Sequence, residues 1–116
     1  MEEINKIIEQ IIKIRNDRNW KQFHNPKDLA LSLVLEAGEV MEHFQWKDKQ
    51  EVEKYIIDNK DEIGEEIADV LYWVLLMSHD LNINILEALQ KKLKKIENKY
   101  PIEKSKDNHK KYTEFE

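Results

Sequence analysis

The chain has 116 residues and a mass of 14.0 kDa, with 41% hydrophobic and 37% charged residues, a net charge of −5 and a pI near 5.4. This is one domain's length; two Gly and two Pro are too few for the tight turns of a sheet protein, and the acidic balance argues against wrapping a nucleic-acid polymer. Zero cysteines exclude disulfides, thiolate zinc sites and a cysteine nucleophile, and no apolar run approaches the roughly 20 residues of a membrane span.

The opening MEEINK is acidic, unlike the basic start of a signal peptide, so a cytoplasmic protein is expected. From Glu2 to about Arg18, Ile4, Ile7, Ile8, Ile11, Ile12 and Ile14 recur at helical spacing and predict an amphipathic first helix. Pro26 disfavours a helical Asn25, so NWKQFHNPKD reads as a break. The second helix, from about Lys27 to Gln45, is apolar on most sides, as a helix central to a bundle would be. A short third follows over Lys49–Asp58. The fourth, about Asp61 to Leu81, begins with acids that suit the positive end of a helix dipole and carries no charge from Val70 through Ser78, which predicts a buried end. The fifth, about Ile85 to Tyr100, is stopped by Pro101. The polar tail IEKSKDNHKKYTEFE is expected to be extended or disordered. The fold predicted is all-α, a bundle of four or five helices over residues 1–101 followed by the tail 102–116. The broad apolar faces of its second and fourth helices suggest dimerisation.

Chemistry concentrates on those two helices. On the second, Ser32, Glu36, Glu39 and His43 form one polar stripe. On the fourth, Glu62, Glu66, Asp69 and Trp73 repeat the spacing. An ordinary Glu-x-x-Glu is the solvated face of its helix. Here the pairs sit on the most apolar helices, where like charges about 5.5 Å apart repel by roughly 3 kcal/mol at an effective dielectric near 20. That placement calls for a compensating cation. Glu36, Glu39, Glu66 and Asp69 offer hard oxygen ligands, which suit Mg²⁺ or Mn²⁺ rather than zinc. No His stands three residues after a Glu, as a di-iron carboxylate bundle would want. Both glycines, Gly38 and Gly64, lie in or beside helical patterns, so there is no phosphate-cradling Gly-rich loop and phosphate recognition falls to metal and Lys. Carboxylate-held Mg²⁺ keeps positions open for water and phosphates, so water attack on a phosphoryl group is the natural chemistry. Trp20, Phe23, His24, Trp46 and Trp73 cluster around these helices and offer faces for a nucleobase, although each taken singly reads more simply as packing. His43, His79 and His109 show no convincing partners in the sequence.

The segments NWKQFHNPKDLALSLVLEAGEVMEHFQW, EEIADVLYWVLLM, KYP and KKYTEF together resemble the MazG-like all-α nucleoside triphosphate pyrophosphohydrolases, and most closely the small dCTP pyrophosphatases. The resemblance runs from about Arg15 to Phe115. Glu36-Ala37-Gly38-Glu39 and Glu66-Ile67-Ala68-Asp69 match the family's Glu-x-x-Glu and Glu-x-x-Asp, a weak pattern alone but a specific one with WKQFH and FQW in order around it.

The resemblance implies hydrolysis of a nucleoside triphosphate between its α and β phosphates, giving monophosphate and pyrophosphate, with dCTP or a related pyrimidine deoxynucleotide as substrate in nucleotide-pool sanitation. It implies Mg²⁺, or Mn²⁺ in its place, on Glu36, Glu39, Glu66 and Asp69, in a homodimer or homotetramer with sites at the subunit interface. It places Trp20, Gln22, His24 and Trp46 around base and sugar with Lys47 at the edge. Lys92 falls near the phosphates, and so do Lys110, Lys111 and Tyr112 of a tail that can close over the site. The general base is left open between Glu39 and Glu65. Departures from the dCTP-preferring pattern fall near the pocket: Trp73 replaces a Tyr, Ile11 stands where a first-helix His is found, and Ile96 replaces an Asn. These loosen the choice of base and leave dUTP, an oxidised nucleotide and, least well supported, phosphoribosyl-ATP as alternatives. A reading from another class is a non-catalytic helical dimer whose acids solvate a groove.

Overall fold

A computed structural model describes residues 2–115. The order is α1 (Glu2–Asp17), a 3-10 turn (Trp20–Phe23), α2 (Pro26–Glu42), α3 (Lys49–Asp58), α4 (Lys60–Asp80), α5 (Ile85–Lys99), the short α6 (Ile102–Ser105) and a second 3-10 turn (Tyr112–Glu114). No strand occurs among the described residues. The chain divides into two compact units, one ending at Ile83 and one beginning at Asn84.

In the first unit, α2 starts where the sequence stops a helix from starting earlier. Asn25 is extended, its side-chain oxygen accepts the Asp28 backbone N–H at 3.0 Å, and Pro26 takes the first helical position, where its missing N–H costs nothing. Asp48 caps α3 in the same way, accepting from Glu51 N–H at 2.8 Å. The antiparallel seam of α2 with α4 is the main packing contact, with α1 and α3 laid against α4. Its fully buried residues are Leu29, Leu75 and Leu76, joined by Ile11 and Ile63. The uncharged stretch of α4 is thus buried at Leu75, Leu76 and Ser78, whose hydroxyl donates to Val74 C=O. Leu71 in the same stretch is half exposed.

Arg15 crosses from α1 to Asp80 at the end of α4 in a two-pronged ion pair, 2.7 and 2.9 Å, with both side chains under a tenth exposed. Lys21 approaches the same carboxylate at 3.5 Å. Burial alone would raise the Asp80 carboxyl, but the hydrogen bonds and charge of Arg15, aided by Lys21, outweigh it and hold the group below the ordinary aspartate range.

Two expectations need correction. The second helix ends at Glu42 rather than Gln45, because the chain turns at residues 43–46 and Trp46 adopts φ of 67°. It is also not encased: Leu31, Val34, Leu35 and Met41 are exposed, so one face packs on α4 and another is left open.

In the second unit, Asn84 caps α5 by accepting Glu87 N–H, and Pro101 ends it after Lys99. The tail is not extended throughout. It forms α6 and then returns, so that the Tyr112 and Phe115 rings stand edge-on to Tyr100 at 6.0 and 5.7 Å and Lys99 lies over Tyr112. Composition hid this because only three aromatic residues among many charged ones do the ordering.

Candidate metal and nucleotide site

The two acidic stripes meet across the α2–α4 seam. One carboxylate oxygen from each of Glu36, Glu39, Glu66 and Asp69 can be chosen so that all four lie within 4.8 Å of one another. Helical geometry makes this happen: positions three apart project from one face, and the apolar residues beside them force both faces into the seam. Glu36 and Glu66 are half-buried, each with one side-chain oxygen out of solvent and without a hydrogen-bond partner, while Glu39 and Asp69 reach solvent.

The electrostatics record the crowding. Burial first, then a hydrogen bond shared with Glu39 and the charges of Glu39, Asp69 and Glu66, push the Glu36 carboxyl above the ordinary range. For Glu66 the hydrogen bond with Glu39 leads, followed by burial and the charges of Glu39 and Asp69, against a smaller opposing pull from His43. Orphaned buried oxygens and carboxyls driven toward protonation are what a cation site looks like without its cation. The donor set, all carboxylate oxygen, fits a hard divalent ion such as Mg²⁺ or Mn²⁺. Glu65 is exposed on α4 and stands outside the converging four.

The aromatic and basic groups are distributed unevenly along the chain. Trp20 and Gln22 lie on the first 3-10 turn. Arg18 stacks over the Trp20 ring, and the Gln22 amide donates to Asn19 C=O at 2.9 Å. His24 meets Trp73 edge to face at 5.7 Å, and Tyr72 meets Trp73 at 5.1 Å. The His24 Nδ1 is buried without a partner, and burial together with Arg15 keeps the ring below its ordinary pKa and therefore neutral. Trp46 is 91% exposed, so among the described residues none packs over it. Lys92 lies on α5, Lys110 and Lys111 precede the last turn, and Tyr112 opens it in contact with Tyr100.

One residue dismissed at the level of sequence is placed here. His43 caps the C-terminus of α2 with its Nδ1 2.6 Å from the hydroxyl of Tyr55 on α3. Lys47 lies 4.3 Å from the centre of the Tyr55 ring. A cavity of about 380 Å³ opens between this pair and the cluster, lined by Glu39, Glu42, His43, Tyr55 and Glu66. His43 already belonged to the polar stripe of α2, and that was its signal. Tyr55 carried none, because only the fold brings α3 to it.

These features define a helical protein in which four carboxylates converge between its two central helices. The MazG-like family matches residues 31–115, and the chain belongs to that family. It is 33% identical over 101 residues to dCTP pyrophosphatase 1 of Mus musculus, covering 85% of this chain and 59% of that protein. It is 32% identical to the Homo sapiens protein of the same name over the same length and share. The chain therefore spans about three-fifths of these relatives. Among solved structures, a pyrophosphatase from Archaeoglobus fulgidus is 36% identical and superposes with a TM-score of 0.81, covering 85% of this chain and 93% of that one.

Proposed function

We propose that the protein is a Mg²⁺-dependent nucleoside triphosphate pyrophosphohydrolase that adds water across the α–β phosphoanhydride of dCTP or a related pyrimidine deoxynucleotide, releasing the monophosphate and pyrophosphate. The observation that carries the reading is the convergence of Glu36, Glu39, Glu66 and Asp69 within 4.8 Å, in a chain 36% identical to a pyrophosphatase.

Those four side chains would hold the ion. When bound, Mg²⁺ supplies charge neutralisation for the phosphates and acidifies water. The chain's own residues do the rest. The acceptor for the proton of the attacking water is either Glu39, which reaches solvent beside the cluster, or the neighbouring Glu65. Trp20, Gln22, His24, Trp46 and Trp73 contribute the base and sugar pocket, with Lys47 at its edge. A neutral His24 with an unpartnered Nδ1 offers a hydrogen bond that an imidazolium would not accept. Trp73 stands edge to face with both His24 and Tyr72, at 5.7 and 5.1 Å. For the phosphates, the family resemblance assigns Lys92 and, from the tail, Lys110, Lys111 and Tyr112.

The assembly that fits is a homodimer or homotetramer. Leu31, Val34 and Leu35 on α2 and Ile67 and Leu71 on α4 are each at least half exposed, and apolar exposure of this extent marks a surface meant to be covered. Incubation with Mg²⁺ and a panel of canonical and modified NTPs and dNTPs, followed by chromatography of the products, tests the reading. Monophosphate plus pyrophosphate from a cytosine nucleotide is expected. The same products from another base would replace the substrate and keep the reaction, and no turnover of any nucleotide would overturn the enzyme.

A further inference from the structure

Beside the carboxylate cluster a single tyrosine holds two nitrogen groups. The Tyr55 hydroxyl is 2.6 Å from His43 Nδ1, and its ring face receives the Lys47 ammonium at 4.3 Å. With Nδ1 taken, Nε2 is the ring nitrogen left to the cavity, and it makes no hydrogen bond among the described residues. Phe44 also stands edge-on to the same tyrosine, with ring centres 6.5 Å apart.

We propose that His43 contacts the phosphate chain of the substrate through Nε2, and that Tyr55 is the positioning residue that turns the imidazole toward the cavity and keeps Lys47 beside it. This rests on the reading of the cluster as a Mg²⁺–triphosphate site. The argument is one of charge and order. The cavity wall made by Glu39, Glu42 and Glu66 is acidic, and the end of α2 adds the partial negative charge of a helix C-terminus. A polyphosphate entering there meets its ion on the cluster side and needs donors opposite. His43 is the nitrogen group among the lining residues, and the Lys47 ammonium lies next to it over the Tyr55 ring. In the tautomer in which the Tyr55 O–H donates to Nδ1, the ring proton sits on Nε2, the donor a phosphate oxygen requires. A side chain already fixed by a tyrosine loses little rotamer freedom on binding, so more of the contact appears as affinity.

The alternative is that the pair only fastens α3 to α2, and amide replacements separate the two roles. Asn places its amide near Nδ1, reaching Tyr55 but not the cavity, whereas Gln places its amide near Nε2. Binding of inorganic tripolyphosphate in saturating Mg²⁺ is measured by calorimetry, with a thermal melt of each variant. His43→Asn is expected to weaken binding about tenfold with its Tm held. His43→Gln is expected to keep most of the affinity while its Tm falls. Tyr55→Phe should weaken binding about threefold and add nothing to His43→Asn in the double variant. In turnover, the losses should fall on KM rather than kcat. Wild-type affinity in His43→Asn, parallel loss of affinity and Tm in both amide variants, or no binding of tripolyphosphate by the wild type would each overturn the proposal. Failure of the enzymatic reading looks different: no nucleotide is hydrolysed while the tripolyphosphate pattern stands.

Discussion

Arg15 and Asp80 are charges that the fold removes from water, 3% and 8% exposed in their side chains, and their two hydrogen bonds tie α1 to the end of α4. Replacing Asp80 by Asn leaves a buried guanidinium without its counter-charge, and a loss of about 3–5 kcal/mol of unfolding free energy is expected in denaturant titrations. Acid should act on the same pair. Because the folded Asp80 carboxyl lies below its ordinary value, its stabilisation is full above about pH 4 and disappears as pH falls through the depressed value. Glu36 and Glu66 run the other way. Their raised carboxyls favour the fold at pH below the ordinary glutamate range, and this contribution is lost as pH rises through the raised values. Metal-free protein melted across pH should therefore be most stable under mildly acidic conditions. Glu66→Gln should raise the Tm of the EDTA-treated protein at pH 7 and remove stabilisation by Mg²⁺, which for an intact site would be about 2.7 kcal/mol at a hundred times Kd. An undiminished Mg²⁺ response in that variant would take Glu66 out of the cation site.

Among the elements, the helices were largely legible because their signals are local: apolar spacing, the acids at the start of α4, and Pro26 and Pro101 as boundaries. Five expected helices correspond to α1–α5. The convergence of the acids was legible too, since stripes on two strongly apolar helices have few ways to pack except facing. What escaped depends on contacts distant in sequence. Arg15 reads as an ordinary surface cation of α1 until Asp80 arrives, and Tyr55 reads as a filler of a weak helix until His43 does. The tail escaped for a different reason, since three rings order it against a polar composition. The periodicity also could not separate the face of α2 that packs on α4 from the one left open, because both are apolar. Gly64 lies inside α4 with open space where a Cβ would stand. Gly64→Ala is expected to stabilise the chain by about 0.5–1 kcal/mol, read as a higher Tm, since it removes backbone freedom from the unfolded state and meets no neighbour.

At the scale of the whole molecule, the open apolar residues of α2 and α4 decide whether one copy is a finished object. Val34 and Leu35 are 67% and 68% exposed. On a free surface a charge at Leu35 would change stability by no more than about 0.5 kcal/mol. Under a second copy it would split the assembly. Leu35→Glu is expected to lower the molar mass measured by light scattering to that of the single chain, 14.0 kDa, with the helical circular dichroism retained. A wild-type protein already at that mass would discard the oligomer.

Trp46 bears on the same question in optical terms. Its indole stands in water while its backbone holds φ at 67°, and Trp73 is enclosed by His24 and Tyr72. Of the three tryptophans, Trp46 is thus red-emitting and open to quenchers, Trp20 is 41% exposed, and Trp73 is half-buried. Excited together, they report different events without any label: a partner or a base that covers Trp46 shifts the emission to the blue and protects it from iodide, whereas loosening of the α2–α4 seam shifts Trp73 to the red.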